Sequence, residues 1–189
     1  MARSLNLACG SSPVDLPGWV NVDARDLPQV DVVADVTRPL PFPDASFDLV
    51  YASHVLEHVR RLDTRDVLRN WRRVLVPGGT LRVAVPDLRV AMHTYLHGHP
   101  EAGIQPGDLD HQMGQLYGRQ DYEGNTHHQG FDKARLTRIL GEAGFFDVRP
   151  WDWRATEHAH VDDGSQHYWP HMDKGAGLLR SLNLQATKD

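Results

Sequence analysis

The first half-hundred residues hold four short apolar runs, each closing on a small or polar residue, and this pattern limits the fold more than any other feature. SLNLAC (4–9), WVNVD (19–23), DVVAD (31–35) and FDLVYAS (47–53) are rich in Val, Leu and Phe over strand length. The period then changes. From Asp63 the run DTRDVLRNWRRVL sets Val67, Leu68, Trp71, Val74 and Leu75 at helical spacing, Pro77-Gly78-Gly79 ends it, and TLRVAVP (80–86) follows as a strand. Strands apolar on both faces and joined by crossovers belong to a parallel sheet with helices packed on it, an α/β architecture.

The second half continues more loosely. Residues 87–99 fit a further helix, and 132–143 fits another, with Asp132 as N-cap and Gly144 as C′ residue. FFDVRPW and LLRSLNLQATK read as two last strands. Between the helices, residues 100–130 read as one long irregular segment rich in Gly, Asp, Gln and His. A compact domain seldom carries such a loop without a use for it, so this segment is expected to cover a site.

A chain of 189 residues suits one domain, 1–189, with a substantial core. Its formal charge of −5 offers no footprint for nucleic acid or an anionic membrane. Arg60, Arg61, Arg65, Arg69, Arg72 and Arg73 gather on a single expected helix and read as its solvated face. Cys9 is the one cysteine, so no intrachain disulfide forms and a reducing compartment is expected. MARSLNLACG has no signal-peptide core and no apolar run reaches the length of a membrane span. A cytoplasmic protein without a membrane span is the expectation, and a homodimer is compatible with it.

His54-x-x-Glu57-His58 matches the H-x-x-E-H motif of inverted zinc peptidases. That chemistry needs both histidines on one helical face and a third ligand downstream. Here His54 follows directly on an apolar strand and an Arg pair follows Val59, which leaves room for one or two helical turns. Peptidase activity is therefore a distant alternative. His93 and His97, His158 and His160, and His167 and His171 lack the compact spacing of a dedicated site, so no native metal is expected.

LNLACG, NVDA, DVVADVTRPLPFPDASFDLVYASHVLEHV, RNWRRVLVPGGTLRVAVPD and LTRILGEAGF, in this order over residues 4–150, resemble the class I S-adenosylmethionine-dependent methyltransferases, in particular the type-11-like small-molecule group. In that family the H-x-x-E-H letters are ordinary. The resemblance implies a doubly wound, mostly parallel, seven-stranded Rossmann-like sheet with an antiparallel last strand. It implies S-adenosylmethionine as cofactor, S-adenosylhomocysteine as product, and a crevice at the carboxyl ends of the first strands.

Carried onto this chain, the cofactor site comprises Ala8 and Gly10, Asp23 and Ala24, Asp35 and Val36, and Ser53. Gly10 permits close approach of the cofactor's amino-acid portion. Asp23 accepts the ribose hydroxyls and Asp35 the adenine amino group, while the Val36 N–H serves a ring nitrogen. Ser53 and His54 stand where the reactive methyl group is placed. Asn6, Ala8 and Ser12 depart from the family's acidic residue and flanking glycines. Pro13, Pro17 and Gly18 crowd the interval between Gly10 and Asp23, so the first crossover is too short for a helix. The expected reaction is methyl transfer to a small polar acceptor such as a sugar hydroxyl. His127 or His128 on the covering segment is the expected base, with His54 as rival and Tyr117 and Tyr122 as further contacts. A non-catalytic cofactor-binding module, or a subunit of a larger methyltransferase, is the alternative.

Overall fold

The structure is a computed structural model that describes residues 3–122 and 124–189. Its strands are β1 (Ser4–Leu7), β2 (Trp19–Asp23), β3 (Val32–Val33), β4 (Phe47–Ser53), β5 (Leu75–Pro86), β6 (Phe145–Pro150), β7 (Tyr168–Trp169), β8 (Leu178–Leu179) and β9 (Ser181–Lys188). The α-helices are α1 (Thr64–Val74), α2 (Leu88–His97), α3 (Asp110–Tyr117) and α4 (Lys133–Glu142). Seven strands form one sheet in the order β3-β2-β1-β4-β5-β9-β6, and β7 pairs with β8 separately. β9 runs antiparallel to both β5 and β6, between which it lies, and the pairs from β3 to β5 are parallel. The strand order reverses between β1 and β4, which opens a crevice at their carboxyl ends.

α1 shows how pattern becomes packing. Val67, Leu68, Trp71 and Val74 are all buried, as their spacing requires. Trp71 is fully enclosed and its indole N–H donates to the Val36 carbonyl at 2.9 Å, so Trp71→Ala would cost about 3–5 kcal/mol. α4 begins at Asp132, whose carboxylate accepts from the Arg135 N–H at 2.7 Å, and ends at Gly144 with φ +94°. The arginines of α1 divide. Arg65 and Arg69 are solvated, but Arg73 donates to the carbonyls of Leu40 and Phe42 and pairs with Asp44, while Arg72 donates to the Gly144 carbonyl. These two tie loops to the helix.

The first crossover has no helix, and a buried amide pair holds it in place. Asn6 and Asn21 stand opposite each other in the β1·β2 register, and Asn6 Nδ2 donates to Asn21 Oδ1 at 3.0 Å. Asn21 then accepts from the Val14 N–H and donates to the Val14 carbonyl, giving the loop backbone the partners that a helix would have supplied itself. After α1 the chain is extended from Leu75 onward. It does not break at Pro77-Gly78-Gly79 but shifts register there, with Phe47 opposite Leu75 and Leu49 opposite Thr80. A Cβ at Gly79 would stand 2.8 Å from the Val76 carbonyl oxygen, so the bulge needs glycine.

Three features depart from the sequence reading. Residues 100–130 are not wholly irregular, since α3 lies within them. No strand was expected at β7, and the single strand expected over residues 178–188 divides, Leu178–Leu179 pairing with β7 and Ser181–Lys188 entering the large sheet. The sheet face around Tyr51 and Ala84 is covered by irregular chain, with Trp151 and Trp153 joining Trp19 against it. No helix among the described residues is long and apolar enough to cross a membrane.

Candidate functional site

The crevice at the ends of β1 to β4 is a cleft of about 1020 Å³. Gly10, at φ +54°, turns its N–H onto Asp23 Oδ2 at 2.8 Å. Asp23 Oδ1 accepts from both the backbone N–H and the Nε of Arg25 at 3.0 Å. Burial acts to raise the Asp23 carboxyl, but the hydrogen bonds from Arg25 and Gly10 outweigh it and hold the group below the usual carboxylate range. Asp35 sits two residues beyond β3, half exposed, and accepts from the N–H and hydroxyl of Thr37. No described residue accepts from the Val36 N–H. Ser53 ends β4, and its hydroxyl accepts from the Ser165 N–H at 3.1 Å.

A second, smaller pocket of about 390 Å³ adjoins the cleft, and His54, His58 and His167 line both. His54 is locked in a left-handed conformation, φ +54°, with its N–H on the Ala84 carbonyl and its Nε2 3.2 Å from Ser181 Oγ. Burial, reinforced by His167, His127 and Arg180, keeps its imidazole neutral, well below the ordinary histidine range. His58 is pushed down to about 4 by burial and by His127. Glu57 is 1% exposed, and burial raises its carboxyl to about 8. Its Oε1 lies 3.4 Å from His54 Nδ1, but with that imidazole neutral the contact is not an ion pair. Arg180 enters from the other side, its guanidinium 3.9 Å from the Trp169 ring centroid and bonded to Gln115 Oε1. Burial lowers it to about 10, and no described carboxylate pairs with it.

Residues 14–83 match the family model described as a methyltransferase domain. Over this stretch, a little more than a third of the chain, the sequence matches the type-11 methyltransferases. Its fold recurs in a methyltransferase from Thermotoga maritima described as a possible histamine N-methyltransferase, with TM-score 0.61 and 17% identity, covering 100% of this chain and 83% of that one. It recurs in a methyltransferase from Archaeoglobus fulgidus, with TM-score 0.58, 16% identity and coverage of 99% and 86%. A Burkholderia thailandensis 1,6-didemethyltoxoflavin-N1-methyltransferase, solved with its substrate and S-adenosylhomocysteine, gives TM-score 0.57, 15% identity and coverage of 99% and 71%. A search of curated protein sequences found no match.

The residues of the cleft suit S-adenosylmethionine, the cofactor of that family. The unpaired Val36 N–H is a donor at the β3 end of the cleft, and the half-exposed Asp35 carboxylate is an acceptor beside it. Asp23 meets one constraint. With Arg25 in place Oδ1 already accepts two bonds, so only Oδ2 keeps a free lone pair, and pairing with two ribose hydroxyls requires the Arg25 side chain to swing aside. That side chain is half exposed and passes over Tyr122, so its release is inexpensive.

Ala8, Gly10, Asp23, Ala24, Asp35, Val36, Ser53 and His54 all line the cleft. His127 lines the smaller pocket. His128 does not: it is exposed and lines a neighbouring cavity of about 260 Å³ with Tyr117, its N–H donating to the Glu57 carbonyl. Tyr122 stands in the cleft. Sequence reasoning passed over Arg180 and Gln115, and weighed His167 only as a metal ligand. The sequence shows Arg180 only as a cation between Leu179 and Ser181 near the start of the last expected strand.

Proposed function

We propose that the enzyme methylates a hydroxyl of a small polar acceptor, sugar-like in its hydrogen-bonding groups, held in the smaller pocket. One observation carries this reading: the pocket opens into the cleft at His54, His58 and His167, beside the end of β4. S-adenosylmethionine, when bound, supplies an electrophilic methyl group on a sulfonium. Asp23, Asp35, Val36 and Gly10 hold it, Ala8, Ala24 and Ser53 complete the wall, and the pocket orients the acceptor. The pocket volume suits a single small molecule rather than a polymer segment. Gln115, Asn125 and Arg119 supply hydrogen-bonding groups, and Arg180, with no carboxylate partner among the described residues, favours an acceptor that also carries an anionic group.

His54 is the base this geometry supports best. It is neutral, it reaches both cavities, and its backbone is fixed. His127 shares the pocket from the covering segment. The test is transfer of labelled methyl groups to a panel of sugars, sugar acids and sugar phosphates, with S-adenosylhomocysteine affinity measured by calorimetry alongside. Methylated product with an acidic sugar supports the reading. Tight S-adenosylhomocysteine binding without turnover on any hydroxyl acceptor points instead to a cofactor-binding module.

A further inference from the structure

We propose that Glu57, His58 and His127 form a binding site for one divalent transition-metal ion on the wall of the acceptor pocket. Each offers one ligand atom, and these atoms lie within 4.8 Å of one another. Glu57 is 1% exposed, lines the pocket, and has no hydrogen-bond partner among the described residues on either carboxylate oxygen. A buried carboxyl without a partner is costly, and a cation between it and two imidazoles removes that cost.

The histidines are already oriented for the task. His58 Nδ1 lies 3.2 Å from the Thr126 carbonyl oxygen and His127 Nδ1 lies 2.9 Å from that of Gln115. A carbonyl only accepts, so each ring carries its proton on Nδ1 and keeps its lone pair on Nε2. Backbone carbonyls hold metal-binding histidines in the same way. The rings meet edge-on with centroids 4.8 Å apart. Backbone bonds from His127 N–H to the Tyr117 carbonyl and from His128 N–H to the Glu57 carbonyl pin the covering segment against the turn that carries Glu57 and His58.

Two imidazoles and a carboxylate suit zinc or a neighbouring first-row ion, and three protein ligands leave an open position. The H-x-x-E-H letters thus hold metal differently from a peptidase. Glu57 is a ligand, and the third ligand comes from the covering segment. The role of the ion rests on the hydroxyl-acceptor reading: an acceptor hydroxyl at the open position is held in place and gives up its proton to His54 more readily.

Metal-free protein is titrated with Co²⁺ and followed by visible ligand-field absorption. One equivalent should bind, and Glu57→Gln and His127→Ala should each weaken it by about 100-fold or more. The exposed pair His93 and His97 on α2, with ring centroids 4.7 Å apart, is the rival site, and the double alanine variant there should bind unchanged. Binding that survives His127→Ala but disappears in the α2 variant overturns the proposal, as does wild-type protein that takes up no cobalt. Circular dichroism establishes the fold of each variant. Should Glu57→Gln not fold, the half-buried His127 on the covering segment decides the matter. A cobalt site without turnover on any hydroxyl acceptor defeats the acceptor reading alone, whereas full turnover in metal-free protein that binds no cobalt defeats the metal alone.

Discussion

Gly164 lies against the imidazole of His54 so closely that a Cβ built on it would overlap ring atoms Cδ2 and Cγ. The segment after β6 therefore sets the orientation of a side chain that leaves β4. Gly164→Ala should turn the ring away, lowering turnover by roughly 10²-fold while S-adenosylhomocysteine affinity changes little. Ring proton shifts of His54 measured by NMR should move with the loss. Full activity in this variant would mean that His54 need not keep its position.

Asp23→Ala should weaken S-adenosylhomocysteine binding by about 1.5–3 kcal/mol through lost charge-assisted hydrogen bonds. Arg25→Ala should bind as well as wild type or better, because it frees Asp23 Oδ1. Calorimetry on both variants checks this, and equal affinity of Asp23→Ala and wild type would remove the ribose assignment.

Among the three candidate bases, His54→Ala should lower turnover by about 10²–10⁴-fold with cofactor affinity retained. His128→Ala should be nearly silent, since the side chain is exposed and outside the acceptor pocket. Steady-state kinetics on an identified acceptor separates the two. A large loss in the His128 variant and none in the His54 variant would reverse the assignment.

His158 gives stability a pH dependence of known sign. Its side chain is 2% exposed among the rings of Tyr51, Trp19 and Trp151, and neither ring nitrogen has a hydrogen-bond partner among the described residues. Burial pushes it down to about 4, despite the pull of Glu157 and Asp163 and with Arg82 acting in the same direction as burial. The unfolded chain protonates near pH 6.5 and the folded one does not until about 4, so stability falls as pH drops through that window, by up to about 3 kcal/mol. Urea unfolding at pH 7 and pH 5 should show a smaller difference in His158→Phe than in wild type. An equal difference in the two proteins would assign the effect elsewhere.

Local pattern decided the elements whose burial follows from their own period. The spacing of Val67, Leu68, Trp71 and Val74 specifies α1, Asp132 and Gly144 mark the ends of α4, and the polar residues closing β1 to β4 place Gly10, Asp23, Asp35 and His54 on one cleft, because parallel strands bring their carboxyl ends together. Pro13 and Pro17 likewise rule out a helix in the first crossover, yet the Asn6–Asn21 pair that replaces it depends on strand register, which no local pattern reveals. The acceptor pocket is a tertiary product throughout. His167 and Arg180 read locally as ordinary residues, and Glu57 and His127, though each is singled out by the sequence, carry no local sign that they meet. Only the packing of the covering segment and β9 against the end of β4 removes Glu57 from water, brings His127 to it, and leaves Arg180 without a carboxylate partner among the described residues, because burial and distance belong to the folded chain and have no counterpart in spacing along it.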